Sequence, residues 1–266
     1  MPRLAANLTL LFNEFDFIDR FRAAADAGFE AVECQFPYGY EASVLKRTLA
    51  EHGLVHVLHN VPAGDWAKGD RGIACLPDRV AEFQAGVDRA IEYATTLGSR
   101  HVNCLAGIRP ADVPETIARE TFIANLRRAA RRLQTAGMQL LIEPINTRDV
   151  PGFFLCRTSQ ALEIIEAVGV DNLLLQYDVY HMQIMEGDLA PTIERHAGRI
   201  GHIQVADTPG RHEPGTGEIN YPFLLGLLDR IGYSGWVGCE YMPAARTDEG
   251  LGWTAPYLKR RQTRRE

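Results

Sequence analysis

The chain has 266 residues, 46 % hydrophobic and 23 % charged, which are globular proportions and exclude a disordered or fibrous protein. That length buries roughly 70–75 % of the unfolded surface, so the core needs no covalent or metal staple. Acids outnumber Lys plus Arg by 34 to 28, a net charge of −6 that argues against general nucleic-acid binding. No apolar run reaches the roughly 18 residues of a membrane span.

The five cysteines (Cys34, Cys75, Cys104, Cys156 and Cys239) form no CxxC pair, and three lie in apolar, strand-like runs. They predict reduced, mostly buried thiols in a cytoplasmic protein. The N-terminal MPRLAANLTLLF becomes polar too soon for a secretory leader.

Short β-rich runs then alternate with amphipathic helices. Leu4 to Phe12 leads into a helix over Asp16–Gly28, where Phe17, Phe21, Ala24 and Ala25 recur at helical spacing. Ala31–Pro37 is the second run, followed by a helix at Ala42–His52. Leu54–Pro62 is the third, and a long loop, Ala63–Pro77, precedes the helix Asp78–Leu97. His101–Gly107 and the helix Pro114–Ala136 follow, with Gly137 in the C-cap role. The later runs are Gln139–Asn146, Leu173–Tyr180, Ile200–Asp207 and Trp236–Met242, with helices at Ser159–Val168, Leu189–Ala197 and Phe223–Ile231 between them.

Eight strand–helix units over about 250 residues predict a single-domain α/β protein, a (β/α)8 TIM barrel spanning 1–258. An open doubly wound sheet would carry a glycine-rich turn after the first strand, and NLTLLFNEF has no glycine. Residues 259–266 form a tail with five positive charges, read as a solvated end.

In such a barrel, function collects where the strands end and the βα loops begin. Polar residues interrupt the apolar runs there: Glu143 in LLIEPIN, Asp178 in LLQYDVYH, Gln204 in HIQVAD and Glu240 in VGCEYM, at separations of 35, 26 and 36 residues. Four adjacent strands would aim them at one point. Three carboxylates that close repel one another unless a cation lies among them. Oxygen donors with one neutral amide suit Mg²⁺ or Mn²⁺ better than zinc. His181, three residues after Asp178, and Arg211, in the loop after the seventh run, are candidate ligand contacts. Arg71, in the long loop PAGDWAKGDRGIACLP, is a second candidate for reading an anion. His56 and His59 have odd spacing and should face opposite sides of their strand, with His59 the site candidate.

Together, PAGDWAKGDRGIACLP, LLIEPIN, LQYDVYHMQ, GHIQVADTPGRHEPGTGEINY and GCEYMP resemble the hydroxypyruvate isomerase family. That family lies in a TIM-barrel superfamily with ketose 3-epimerases and endonuclease IV. The resemblance implies a divalent metal on Glu143, Asp178, Gln204 and Glu240, with the two glutamates also acting as acid and base. His181 and Arg211 match residues that touch substrate oxygens in the epimerases, the latter more loosely because its loop differs in length. The implied reaction moves a carbonyl between neighbouring carbons of a small hydroxy/keto acid, hydroxypyruvate or a 2-oxo-tetronate, through an ene-diolate and without a redox cofactor. A homo-oligomer is compatible with the sequence. Incision of DNA is not expected, since the chain has only eight histidines, few of them at strand ends, and a negative net charge.

Overall fold

In the computed structural model, which describes residues 1–258, every paired strand runs parallel to its neighbours. The basic tail 259–266 lies outside the described residues. The strands are β1 (Arg3–Asn7), β2 (Ala31–Glu33), β3 (Val55–His56), β4 (Leu58–Asn60), β5 (His101–Cys104), β6 (Gln139–Ile142), β7 (Leu173–Asp178), β8 (Ile200–Val205) and β9 (Trp236–Cys239). The helices are α1 (Phe17–Asp26), α2 (Ala42–His52), α3 (Val80–Leu97), α4 (Glu115–Thr135), α5 (Thr158–Val168), α6 (Val179–Met185), α7 (Leu189–His196), α8 (Tyr221–Arg230) and α9 (Thr247–Gly250).

The strand order is β3-β2-β1-β9-β8-β7-β6-β5-β4. Its two ends, β3 and β4, are successive pieces of one run, so the sheet closes on itself as a TIM barrel. Main-chain bonds across the junction, Cys34 N to Leu58 O at 3.2 Å and Asn60 N to Gln35 O at 2.9 Å, complete the ring.

The helices are amphipathic because their buried residues recur every three or four positions, as in Phe83, Val87, Ala90 and Ala94 of α3. Their packing on the outside of the strands makes the main core. Inside the barrel the filling changes along the axis. Ala5, Ala31, Val57, Leu58 and Leu141 form a small apolar plug. Ala5 pairs with Ala31 in the ladder, and one step of two residues further on Asn7 pairs with Glu33, so the interior turns polar toward the C-terminal ends.

Several predicted strands are longer than those observed. Leu8, Leu11 and Phe12 are buried, but they belong to a turn whose Leu11 N–H bonds back to Asn7 O at 2.9 Å. An apolar run reads the same in a buried turn as in a strand. The expected strand through Tyr180 ends at Asp178, whose Oδ1 accepts the N–H groups of Tyr180 and His181 at 2.8 and 3.3 Å and starts α6. All five cysteines are free thiols and four are buried. Among the described residues no helix is long and apolar enough to cross a membrane.

Candidate active site

β6, β7, β8 and β9 are neighbours, so their last residues stand side by side. Glu143 follows β6 directly, Asp178 ends β7, Gln204 lies level with Asp178 in the ladder, and Glu240 follows β9. All four are at least 95 % buried. Arg211 ties two of them together: its Nη2 lies 2.8 Å from Glu240 Oε2 and 3.7 Å from Asp178 Oδ2. His181, on the first turn of α6, places Nε2 3.7 Å from Asp178 Oδ2 and 3.9 Å from Glu143 Oε1.

The loop that carries Arg211 is wound around a buried carboxylate. Asp207 accepts N–H bonds from Thr208, Gly215 and Ile219 at 2.9, 2.9 and 3.1 Å. Arg211 itself takes a left-handed backbone conformation (φ 57°), and its carbonyl accepts a bond from Met242 N at 2.8 Å, fastening the loop to the exit of β9.

Burial, then the charges of Glu240 and Asp178, raise the Glu143 carboxyl well above its ordinary range. Burial also raises Asp178. Glu240 is pushed up by burial to about 7, with Arg211 limiting the rise. Burial works against the Arg211 charge, yet Glu240, Asp178 and Glu143 outweigh it and hold the guanidinium protonated.

His181 is held neutral, its pKa well below 6.5 through burial and then through Arg211. Its tautomer follows from Asn146. The Asn146 Oδ1 accepts from Asp149 N at 2.8 Å, so Nδ2 is the end that meets His181 Nδ1 at 2.6 Å. Nδ1 is therefore an acceptor and Nε2 carries the proton toward the carboxylates. This makes His181 a donor to whatever sits in the site; ligation of a metal through Nε2 would require the other tautomer.

The residues fit a hard divalent cation. Among the described residues, the fully buried Asp178 Oδ2 has no hydrogen-bond partner, an orphan that is costly unless something positive meets it. Ligand atoms of Glu143, Asp178 and His181 all lie within 4.8 Å of one another. When Glu143, Asp178 and Glu240 are ionised, Arg211 offsets only one of the three charges.

Gln204 differs from the simplest expectation. Its Nε2 donates to Glu33 Oε1 at 2.7 Å, and its Oε1 accepts from Gln176 Nε2 at 2.6 Å, leaving one lone pair of that oxygen for a cation.

Two predicted substrate contacts are not brought to this cluster. His59 is buried outside the strand against α3, with Nε2 on Ala90 O at 3.1 Å and its pKa lowered by burial to about 4. The ladder breaks at Val57, so Val57 and Leu58 both enter the interior plug, while the rings of His56 and His59 lie only 5.5 Å apart. Odd spacing separates two side chains only along an unbroken strand. Arg71 stacks over Trp66 at 4.1 Å and bonds the carbonyls of Trp66 and Asp70. Trp66 in turn packs on Phe36 at 5.5 Å.

Residues in the first half of the chain support the cluster and are not among the candidates that the sequence points to. Asn103 donates to Glu143 at 2.9 Å. Asn7 and Gln35 donate to Glu240 at 3.0 and 2.9 Å. Asn7, Glu33 and Asn103 are polar residues in apolar runs, the same signal that picked out the later four.

A family model described as xylose isomerase-like TIM barrel matches residues 21–257. The chain belongs to that family. Hydroxypyruvate isomerase of Escherichia coli (strain K12) is 52 % identical over 257 residues, covering 97 % of this chain and all of the relative. 2-Oxo-tetronate isomerase of Cupriavidus necator is 50 % identical over 260 residues, with coverage of 98 and 100 %. A solved structure described as AP endonuclease, family 2, from Brucella melitensis superposes with a TM-score of 0.95 at 47 % identity, covering 97 % of this chain and all of that one. The full-length relatives named here as isomerases place the chain among isomerases of this fold.

Proposed function

We propose that the protein interconverts hydroxypyruvate and 2-hydroxy-3-oxopropanoate by proton transfer through an ene-diolate. The observation that carries this is the convergence of Glu143, Asp178 and Glu240 with one guanidinium and one neutral imidazole at the strand ends. The relatives named hydroxypyruvate isomerase support the choice of substrate.

Glu143, Asp178, Gln204 and Glu240 would hold a Mg²⁺ or Mn²⁺ ion. When bound, such an ion supplies Lewis-acid stabilisation of negative charge on the substrate oxygens. The chain's own residues divide the remaining work. Glu143 and Glu240 stand on β6 and β9, either side of β7 and β8, so they approach a substrate from two sides. One takes the proton from the hydroxymethyl carbon and the other delivers a proton to the adjacent carbon, while the hydroxyl proton passes to the former carbonyl oxygen, so the substrate neither gains nor loses a proton overall. A carboxylate placed to take up and release a proton is typically worth ~10²–10⁴-fold. His181 Nε2–H donates to a substrate oxygen without adding charge. Arg211 meets the substrate carboxylate with its guanidinium fork.

A four-carbon 2-oxo-tetronate is the second reading, supported by relatives of that name at 50 and 44 % identity. Initial rates with hydroxypyruvate and with a 2-oxo-tetronate, in added Mg²⁺ or Mn²⁺ and again in chelator, separate the two. A kcat/KM for the tetronate tenfold above that for hydroxypyruvate reverses the assignment, and turnover of neither overturns it.

A further inference from the structure

Below the proposed metal ligands the barrel interior contains a carboxylate with no role in the chemistry above. Glu33 is completely buried. Its Oε1 accepts from Gln204 Nε2 at 2.7 Å and Asn7 Nδ2 at 3.0 Å, and its Oε2 lies 2.7 Å from His202 Nε2. The same Asn7 amide nitrogen donates its other hydrogen to Glu240 Oε1 at 3.0 Å. One carboxylate is thus joined directly to Gln204 and through a single amide to Glu240.

The space for it is built in. A Cβ at Gly238, on the inward face of β9, would lie 2.4 Å from Glu33 Oε1, so that position accepts only hydrogen. A core designed for stability alone would continue the apolar filling of Ala5, Ala31 and Leu141, because a buried carboxylate with hydrogen-bond partners seldom outdoes well-packed apolar side chains.

We infer that Glu33 is a positioning residue for the metal site, orienting Gln204 and Glu240 and strengthening the Gln204 carbonyl as a ligand. A neutral amide is a weak partner for a dication. Donating its N–H to an anion draws electron density onto Oε1, as a carboxylate does for a metal-bound histidine through the far ring nitrogen. The Glu33 bond also fixes which end of the amide is nitrogen, so Oε1 cannot exchange places with it. This inference rests on the metal reading proposed above.

Mn²⁺ binding to the chelator-stripped protein, followed by the electron paramagnetic resonance signal of the free ion, tests it without recourse to turnover. Glu33→Gln keeps shape but loses the anion, and should weaken Mn²⁺ binding 10–100-fold while the circular dichroism spectrum is unchanged. In a Gln204→Ala background the same change should cost only severalfold, because the direct route is gone and the arm through Asn7 to Glu240 alone remains; a merely structural role would cost the same in both. If Glu33→Gln does not fold, Asn7→Ala removes the arm to Glu240, together with the bond from Thr9 N to Asn7 Oδ1, and should weaken binding severalfold. Wild-type affinity in a folded Glu33→Gln or Asn7→Ala protein overturns the positioning role alone. Failure of the wild type to bind Mn²⁺ overturns the metal reading and this inference with it.

Discussion

Replacing Glu240 by Gln in the metal-free protein should make it more stable at alkaline pH, even though the change removes a charged partner of Arg211. The Glu240 carboxyl titrates near 7 in the folded chain against 4.5 ordinarily. Because the folded pKa is the higher, the folded state holds a proton that the unfolded state has released between these values. The resulting stabilisation is complete below pH 4.5 and disappears as pH rises through 7. At 1.36 kcal/mol per pKa unit, full ionisation costs the folded state about 3 kcal/mol. For a chain of 266 residues, with an unfolding entropy of about 2.1 cal/mol/K per residue, that is a Tm change of about 6 °C. The Gln amide carries no charge at any pH, so its own contribution is constant. Melting curves in chelator at pH 5, 6, 7 and 8 should show the Tm of Glu240→Gln, relative to wild type, rising by about 4–5 °C, since part of the full change falls below pH 5. Added Mn²⁺ should restore wild-type stability most strongly at pH 8. A Tm difference that stays flat with pH would refute the electrostatic account of this buried carboxyl.

Glu143→Gln and Glu240→Gln should each lose at least ~10²-fold in kcat and stay slow in excess metal, whereas Asp178→Asn should recover part of its rate as Mg²⁺ or Mn²⁺ is raised, measured by metal titration of initial rates. Arg211→Ala should raise KM for hydroxypyruvate at least tenfold, with little change for a neutral ketose; Arg71→Ala, whose side chain is engaged with Trp66, should change KM less than threefold. His59→Ala should lower stability by about 2–4 kcal/mol in denaturant titration through a cavity under α3, with kcat of the remaining folded enzyme unchanged.

The barrel was legible because its signals repeat: each helix carries an apolar stripe, and each strand a short apolar run. Glu143, Asp178, Gln204 and Glu240 stood out as polar interruptions of those runs. Glu33, Asn7 and Asn103 carry the same mark, but a carboxylate or amide that serves another side chain looks in sequence like a solvated one. What separates them is which partner each meets across the barrel, as Asn7 meets Glu240 over 233 positions of chain. His59 turns outward to α3 for a geometric reason. Two-residue periodicity assigns faces only while the ladder is regular, and the break at Val57 is invisible in LVHVLHN. Arg71 was selected for its charge in a long loop, and charge alone does not tell where a flexible side chain is tethered.

That long loop is made of two mechanically different parts. Gly72 and Gly107 pack back to back in left-handed conformations, and a Cβ on Gly72 would come within 2.4 Å of Leu105 O. The main-chain bond Cys75 N to Ala106 O at 2.9 Å and the bond from Asn125 to Ala74 O stitch residues 72–75 to the segment after β5 and to α4, and Gly72 N to Ala63 O at 3.0 Å ties them to the start of the loop. Residues 64–69 are exposed and carry Trp66. The base is a fixed wall, and only the tip has room to adapt. Substitutions at the tip should therefore leave undisturbed the carboxylates, which stand at the ends of other strands. Sequence change and mechanical constraint are thus separated within one connection of the barrel: the exposed side chains of the tip can vary where residues 72–75 cannot.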